Sequence, residues 1–276
     1  MTTMQPLADW PAEQRRSVIG VLTDIDDTLT TDGAITADAL QALTALKSAG
    51  FQVIAITGRP VGWSAPFAAS WPLDAIVAEN GAVALVATGI STAGEKPAAL
   101  RKLYLQDAAT RVANFARMQQ VAQRVLREVP GAMLSRDSSG RETDIAVDHS
   151  EFSNLDADKI ARTVRIMQSE GMSATVSSIH VNGWFGSHNK LVGASWIVRE
   201  LWGRNLAAEM DRWVYVGDST NDQVMFEAFT QSVGVANITR FASELLHFPI
   251  YVTQRDRGAG FAEVAAALLT ERSRCA

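Results

Sequence analysis

Asp24 and Asp26 stand two residues apart, directly after the apolar run Ser17 to Leu22, within Thr23-Asp24-Ile25-Asp26-Asp27-Thr28. On an extended chain the side-chain period is two, so both carboxylates can face one site while Ile25 points elsewhere. Such crowding is costly unless a cation compensates it, and one or two hard carboxylate ligands suit Mg²⁺, which keeps several waters for a phosphate to replace. An acidic triplet after a strand can also cap a helix or form a turn. The case for chemistry is an ordered set of four features. Asp24-x-Asp26-x-Thr28 follows one apolar run and Thr57-Gly58-Arg59 the next; Lys190 lies far downstream, and Gly217-Asp218-Ser219-Thr220-Asn221-Asp222 ends a later run. A carboxylate nucleophile with a cation and a Lys nearby is suited to phosphoryl transfer, which needs in-line positioning and charge neutralisation.

The elements that must position these residues read as an α/β chain. Ser17 to Leu22 predicts a buried strand, Thr36 caps a helix with Leu40, Leu43 and Leu46 on one face, Gly50 stops it, and Phe51 to Ile56 predicts the next strand. A third strand near Ala75 to Ala78 ends in Glu79-Asn80-Gly81, so three strands carry polar residues at their carboxyl ends, the edge where open parallel sheets bind ligands. A helical stretch from about Pro97 to Val129 follows, then the alternating, antiparallel-looking Arg141 to Asp148, a helix from about Asp156 to Glu170, and strands at Ser173 to Ser177 and Ile179 to Trp184. Parallel α/β signals return with a helix from about Lys190 to Trp202 and strands at Arg212 to Val216, Ser232 to Val235 and Ile250 to Thr253, before a terminal helix from about Gly260 to Leu269. The expected architecture is a Rossmann-like parallel-sheet core, residues 1–85 and 187–276, interrupted by an inserted α+β domain at 86–186.

Composition narrows the partners. A hydrophobic fraction of 47% over 276 residues supports a globular chain with a sizeable core. The net charge of -5 lacks the clustered Lys and Arg that nucleic acid or an anionic membrane calls for, which favours a small-molecule partner. Met1 to Arg16 has no apolar signal-like run, and no stretch reaches the roughly 20 apolar residues of a membrane span. Cys275 is the only cysteine, so no internal disulfide can form. A cytoplasmic monomer or small homo-oligomer is the expectation.

Taken together, the four motifs resemble those of the haloacid dehalogenase superfamily of phosphohydrolases, in the type IIB group. The likeness is to the Cof-like, sucrose-phosphatase-like and mannosyl-3-phosphoglycerate-phosphatase-like branch, whose α/β cap is inserted between the second and third motifs, and it spans nearly the whole chain. The resemblance implies that Asp24 attacks phosphorus, that Asp26 is the general acid/base, and that Thr57, Gly58, Lys190 and Asn221 bind phosphate. It further implies Mg²⁺ held by Asp24, by the Asp26 carbonyl and by Asp218, with Asp222 in support. The substrate would be a sugar phosphate or similar small phosphorylated metabolite.

Within the insertion, His180, Asn182 and Trp184 alternate along one strand and are candidates for substrate contact, Trp184 by stacking on a sugar face. An ordinary half-exposed strand explains them equally. Asn80 is a further candidate; His188 is expected in a solvated loop, Arg136 and Arg141 either at a second anionic group or in solvent, and Gly183 and Gly186 at a hinge. A phosphomutase, or a receiver-like phosphoacceptor module, remains an alternative.

Overall fold

The computed structural model describes residues 4–88 and 99–273, so Cys275 and the start of the helix expected from Pro97 lie outside the described residues. The strands Gly20–Thr23, Ala75–Ala78 and Trp213–Gly217 are buried along their whole length, as a parallel sheet covered on both faces requires. They belong to a nine-stranded sheet. Its order is Gln5–Pro6, Tyr251–Val252, Ser232–Gly234, Trp213–Gly217, Gly20–Thr23, Gln52–Ile56, Ala75–Ala78, Val83–Thr88 and Ala99–Tyr104. Neighbours pair in parallel up to Ala75–Ala78, and the last two strands form an antiparallel hairpin against it. From the central strand Gly20–Thr23 the chain first winds to one side and later, from Trp213–Gly217, to the other. The carboxyl ends of these strands therefore flank a topological switch point.

Each face of the sheet has its own apolar layer. Val21, Val53, Ile76 and Val214 pack with the helices Ala37–Ser48 and Arg257–Ser273, while Leu22, Ile54, Val77 and Tyr215 pack with Lys190–Trp202 and Gln223–Ala228. The first helix starts at Thr36, whose side chain accepts from the Ala39 N–H, and Gly50 follows it with φ +81°. Its buried face is Ala39, Ala42, Leu43 and Leu46. Leu40, expected on that face, is 37% exposed.

A second sheet lies outside the first, in the antiparallel order Ser173–Val176, His180–Trp184, Ile145–Asp148, Met133–Leu134. The helices Ala108–Glu128 and Ala157–Ser169 cover it through Met118, Val125, Ile166 and Met167. We refer to this layer as the cap. Three expectations change here. The helix expected from Pro97 is instead the strand Ala99–Tyr104 followed by a helix that begins after Asp107, whose carboxylate accepts from the Thr110 N–H. Val83–Thr88 and Ala99–Tyr104 thus belong to the main sheet, and a boundary at 86 would cut one of its strands; we propose that the insertion begins after Tyr104. Gly183 lies inside a strand, where a Cβ would come within 2.6 Å of Met167 Sδ, so its need is close packing and not a hinge.

Lys190 reaches the sheet edge because its helix makes an unusually close approach. A Cβ on Gly193 would lie 2.4 Å from Gly81 Cα, and one on Gly81, at φ +107°, would lie 2.3 Å from the Asn189 carbonyl oxygen. Gly193→Ala should therefore overpack this contact and lower stability by about 1–3 kcal/mol. Chemical denaturation checks this; an unchanged midpoint would show that the helix can shift without cost.

Candidate active site

Four adjacent strand ends supply the site. Gly20–Thr23 delivers Asp24 and Asp26, Gln52–Ile56 delivers Thr57 to Arg59, Ala75–Ala78 leads into Glu79 to Gly81, and Trp213–Gly217 delivers Asp218. The parallel pairing sets their level: Asp24 N–H donates to the Val216 carbonyl at 2.8 Å, and Thr57 N–H to that of Val77 at 2.9 Å. Lys190 is the first residue of its helix, and Asn189 caps that helix by accepting from the Val192 N–H.

The centre is a buried charge cluster. Lys190 Nζ lies 3.0 Å from Asp24 Oδ1, 2.7 Å from Asp222 Oδ1 and 3.3 Å from Asn221 Oδ1. Asp222 is fully engaged. Its Oδ1 also accepts from the Tyr215 hydroxyl, and its Oδ2 accepts the backbone N–H groups of Asp218 at 2.9 Å and Ser219 at 3.1 Å. Among the described residues Asp218 has only neutral donors, Asn237 Nδ2 at 3.1 Å and Thr28 Oγ1 at 3.5 Å.

Burial pushes the Asp24 carboxyl up to about 7; Lys190 opposes the shift, and Asp222 and Asp26 add to it. Burial likewise drives Asp218 well above the carboxylate range, helped by Asp24 and Asp222. For Lys190, burial favours the neutral amine, but Asp222 and Asp24 outweigh it and the ammonium is held more firmly than usual.

Oxygens of Asp24, Asp218 and Asp222 lie within 4.8 Å of one another, around one lysine. The excess of buried negative charge and the all-oxygen donors suit a hard divalent cation. Asp24 and Asp218 are the residues able to hold it, since the oxygens of Asp222 already carry four donors.

Asp26 sits at the mouth. Arg59 Nε donates to its Oδ1 at 2.9 Å and its Oδ2 at 3.2 Å, while the Thr57 hydroxyl points at Oδ2 from 3.5 Å and accepts from the Arg59 N–H at 3.0 Å. The same guanidinium crosses to the cap, reaching Glu151 at 2.9 Å and Asp137 at 3.4 Å. A narrow pocket between core and cap, about 10 Å³, is lined by Asp24, Asp26, Gly58, Ser177, His180, Asn182 and Asn221 among others. That is room for about one water, so a phosphate must displace the cap or its side chains on entry.

The structure therefore gathers Asp24, Asp26, Thr57, Gly58, Lys190, Asp218, Asn221 and Asp222 at one sheet edge, and brings His180 and Asn182 over it. Asn80 and Trp184 stand apart from that pocket. Asn80 donates to Asp144 in the cap at 3.4 Å, and its backbone adopts φ +57°. Trp184 is 2% exposed, stacked on His188 with ring centroids 5.5 Å apart, and donates to the His188 carbonyl; with Asn80 it borders a separate cavity of about 340 Å³ beside Lys190 and Asn221. His188 is buried, and burial lowers its pKa to about 4, so the expectation of a solvated loop residue fails. Arg141 is buried as well, pairing Asp144 at 2.8 Å and donating to the Gly58 carbonyl at 3.0 Å. Its charge ties cap to core.

Sequence reasoning missed three contributors. Tyr215 had only its position in an apolar strand; Ser177 and Ser178, at the turn between two cap strands, carried no signal. Arg59 was legible as part of Thr-Gly-Arg but not as the link between Asp26 and the cap.

Comparison with known proteins bears on the family. Residues 21–92 match the model of the haloacid dehalogenase-like hydrolases. A search of curated proteins finds no match. Among solved structures, a HAD/COF-like hydrolase from Plasmodium vivax superposes with TM-score 0.66 at 16% identity, covering 94% of this chain and 99% of that one. The sucrose-phosphatase of Synechocystis sp. PCC6803, solved with sucrose and phosphate, gives TM-score 0.63 at 16% identity over 92% and 98% of the two chains. A trehalose-6-phosphate phosphatase related protein gives 0.58 at 17% over 93% and 98%. At these identities the likeness is one of fold, and it runs through core and cap alike. The fold meets the expectation of a parallel-sheet core with an α+β cap, and the segment 21–92 is similar to the haloacid dehalogenase-like hydrolases.

The raised pKa of Asp24 has a measurable consequence. A carboxyl whose folded value is about 7 against an ordinary 3.8 favours the metal-free fold while protonated; that contribution is complete below the lower value and lost as pH rises through the upper one. A divalent cation competes with this proton, so added Mg²⁺ should raise the melting temperature more at about pH 8 than at about pH 5. Asp24→Asn should flatten the difference. Thermal unfolding with and without Mg²⁺ at both pH values tests it, and an equal shift at the two would refute the coupling.

Proposed function

We propose that this chain is a Mg²⁺-dependent phosphomonoesterase acting through an aspartyl-phosphate, on a sugar phosphate or a similar small phosphorylated metabolite. The observation that carries the reading is Lys190, fully buried, bonded to both Asp24 and Asp222 beside the unneutralised Asp218.

On this reading Asp24 is the nucleophile, and Lys190, Thr57 and Asn221 face the equatorial oxygens of the phosphoryl group. Mg²⁺, held by Asp24, the Asp26 carbonyl and Asp218, would neutralise phosphate charge. Asp26 gives a proton to the leaving alkoxide, then takes one from the water that hydrolyses the acyl phosphate. Asp222 holds Lys190 in place and is itself held by Tyr215 and two backbone N–H groups. The cap excludes bulk water, which strengthens each of these interactions.

Asp24→Asn should abolish phosphate release from every ester, and substantial residual activity would remove the nucleophile assignment. Asp26→Asn should slow alkyl phosphates about 10²–10⁴-fold and activated aryl phosphates much less, because a good leaving group needs little protonation. Equal losses on both would exclude general-acid catalysis. EDTA should stop turnover and Mg²⁺ restore it; activity indifferent to chelation would overturn the metal requirement.

A further inference from the structure

The strand Ser232–Gly234 lies beside Trp213–Gly217 in the main sheet, and the chain that leaves it stays at the same edge, because the Val235 N–H donates to the Gly217 carbonyl at 3.0 Å. Asn237, two residues on, is thereby set next to Asp218. It is 5% exposed and lies in the short 3₁₀ helix Ala236–Phe241. A primary amide offers two N–H donors and one carbonyl acceptor, and here each has a partner. Nδ2 donates to the Asp27 carbonyl at 3.0 Å and to Asp218 Oδ2 at 3.1 Å, while Oδ1 accepts from the Arg257 N–H at 2.9 Å. Turned over, the amide would set its oxygen against two other oxygens and its NH₂ against an N–H. The network therefore fixes which end faces Asp218.

Two of the three partners need holding. Asp27 and Arg257 adopt φ +55° and +54°, where a residue other than glycine stays only when its surroundings fix it. Asn237 takes the carbonyl of one and the N–H of the other, and Arg257 Nε joins the pair again at Asp27 Oδ1, 2.9 Å away. Asp27 directly follows Asp26, so fixing the Asp27 backbone constrains the Asp26 carbonyl one residue earlier. A single side chain thus reaches the Asp218 carboxylate and the turn that presents the Asp26 carbonyl.

The donor is neutral, and its neutrality has a consequence. A Lys or Arg in its place would pin Asp218 equally well but would cancel its charge. An amide holds one oxygen and leaves the full charge of the carboxylate for a cation. It also leaves the second oxygen accessible to one: among the described residues Oδ1 meets only the Thr28 hydroxyl, at 3.5 Å, the outer limit of a hydrogen bond. Asp222 is treated in the opposite way, with the Lys190 ammonium and the Tyr215 hydroxyl on Oδ1 and two backbone N–H groups on Oδ2.

We propose that Asn237 is a positioning residue for the divalent cation, holding the Asp218 carboxylate and, through the Asp27 carbonyl, the Asp26 carbonyl in the arrangement that receives the ion. The inference rests on the metal-dependent reading above and deepens it. Asn237 is not itself a ligand, since its polar atoms are taken. It acts by ordering two ligands from separate strand ends before the ion arrives, so that binding does not have to order them.

The test uses Mn²⁺ in place of Mg²⁺, because the electron paramagnetic resonance signal of the free ion is lost on binding and affinity is read without turnover. On the full chain without substrate, the site is the one that Asp218→Asn removes. Asn237→Ala should raise its Mn²⁺ Kd about 10–100-fold, and phosphate release should need correspondingly more Mg²⁺ while kcat at saturating Mg²⁺ is largely kept. A merely structural role would lower the melting temperature in EDTA and leave the Kd unchanged, and that result overturns the inference. Asn237→Ser, which has a single hydrogen to give where the amide gives two, should fall between Ala and wild type and carries the test if the Ala variant does not fold; a Ser variant as tight as wild type also overturns the inference. A wild-type chain that binds no Mn²⁺ overturns the metal-dependent reading itself, whereas wild type and variants that bind equally overturn only the role of Asn237.

Discussion

Three carboxylates and one ammonium share the buried edge of a parallel sheet, and the rest of the structure answers to that fact. Removing such charges from water costs several kcal/mol per ion, which a bare ion pair does not recover. The chain offsets the cost with hydrogen bonds. Asp222 accepts four donors, Lys190 reaches three oxygens, and Asp218 takes Asn237 and Thr28. What is left uncompensated is the Asp24 and Asp218 side, and there burial raises both pKa values. The cluster is thus satisfied on its structural flank and short of positive charge on its open flank, which is the asymmetry a cation and a phosphate would use.

Holding Lys190 against those carboxylates depends on a turn that most residues would resist. Glu79, Asn80 and Gly81 adopt φ +50°, +57° and +107° in succession, and two of the three are not glycine. Backbone in that region is costly unless its surroundings fix it. Here Glu79 is fixed from both sides: its carboxylate accepts the N–H of Val61 in the core, and the N–H groups of Glu142 and Thr143 and the Thr143 hydroxyl in the cap. Burial raises the Glu79 pKa to about 7, and neighbouring Asp144 adds to the rise. Gly81, next in the chain, admits the helix that starts with Lys190. One strained turn therefore bolts the cap to the core and sets the height of Lys190.

How far the sequence revealed this follows from the range of each interaction. Asp24, Asp26, Thr57, Lys190 and Asp218 were legible because each sits at a strand end or helix start with its own local pattern, and the parallel sheet brings such ends together without further information. The edge strand Ala99–Tyr104 was not legible, since Arg101 and Lys102 make it as polar as a surface helix. The fates of Trp184, His188 and Arg141 depend on what the cap packs against. Trp184 and His188 bury each other's rings, and Arg141 meets carboxylates three and four residues from itself and a carbonyl more than eighty residues away. A period-two pattern identifies the face of a strand but not its neighbour, which is why the packing of Trp184 against His188 could not be read from it.

Arg59 is where these separate constraints meet. Its guanidinium is 7% exposed and serves three carboxylates, Asp26 from the core and Asp137 and Glu151 from the cap, with Glu151 also 3.0 Å from His180 Nε2. Any motion that lifts the cap to admit a phosphate separates Arg59 from two of its three partners, while Asp26, on its own side, stays within reach. A fork with five donors can be shared in this way and a lysine could not reproduce it. On the proposed reading, the position of the cap thereby changes the charge balance around the general acid itself, through one side chain that neither domain holds alone.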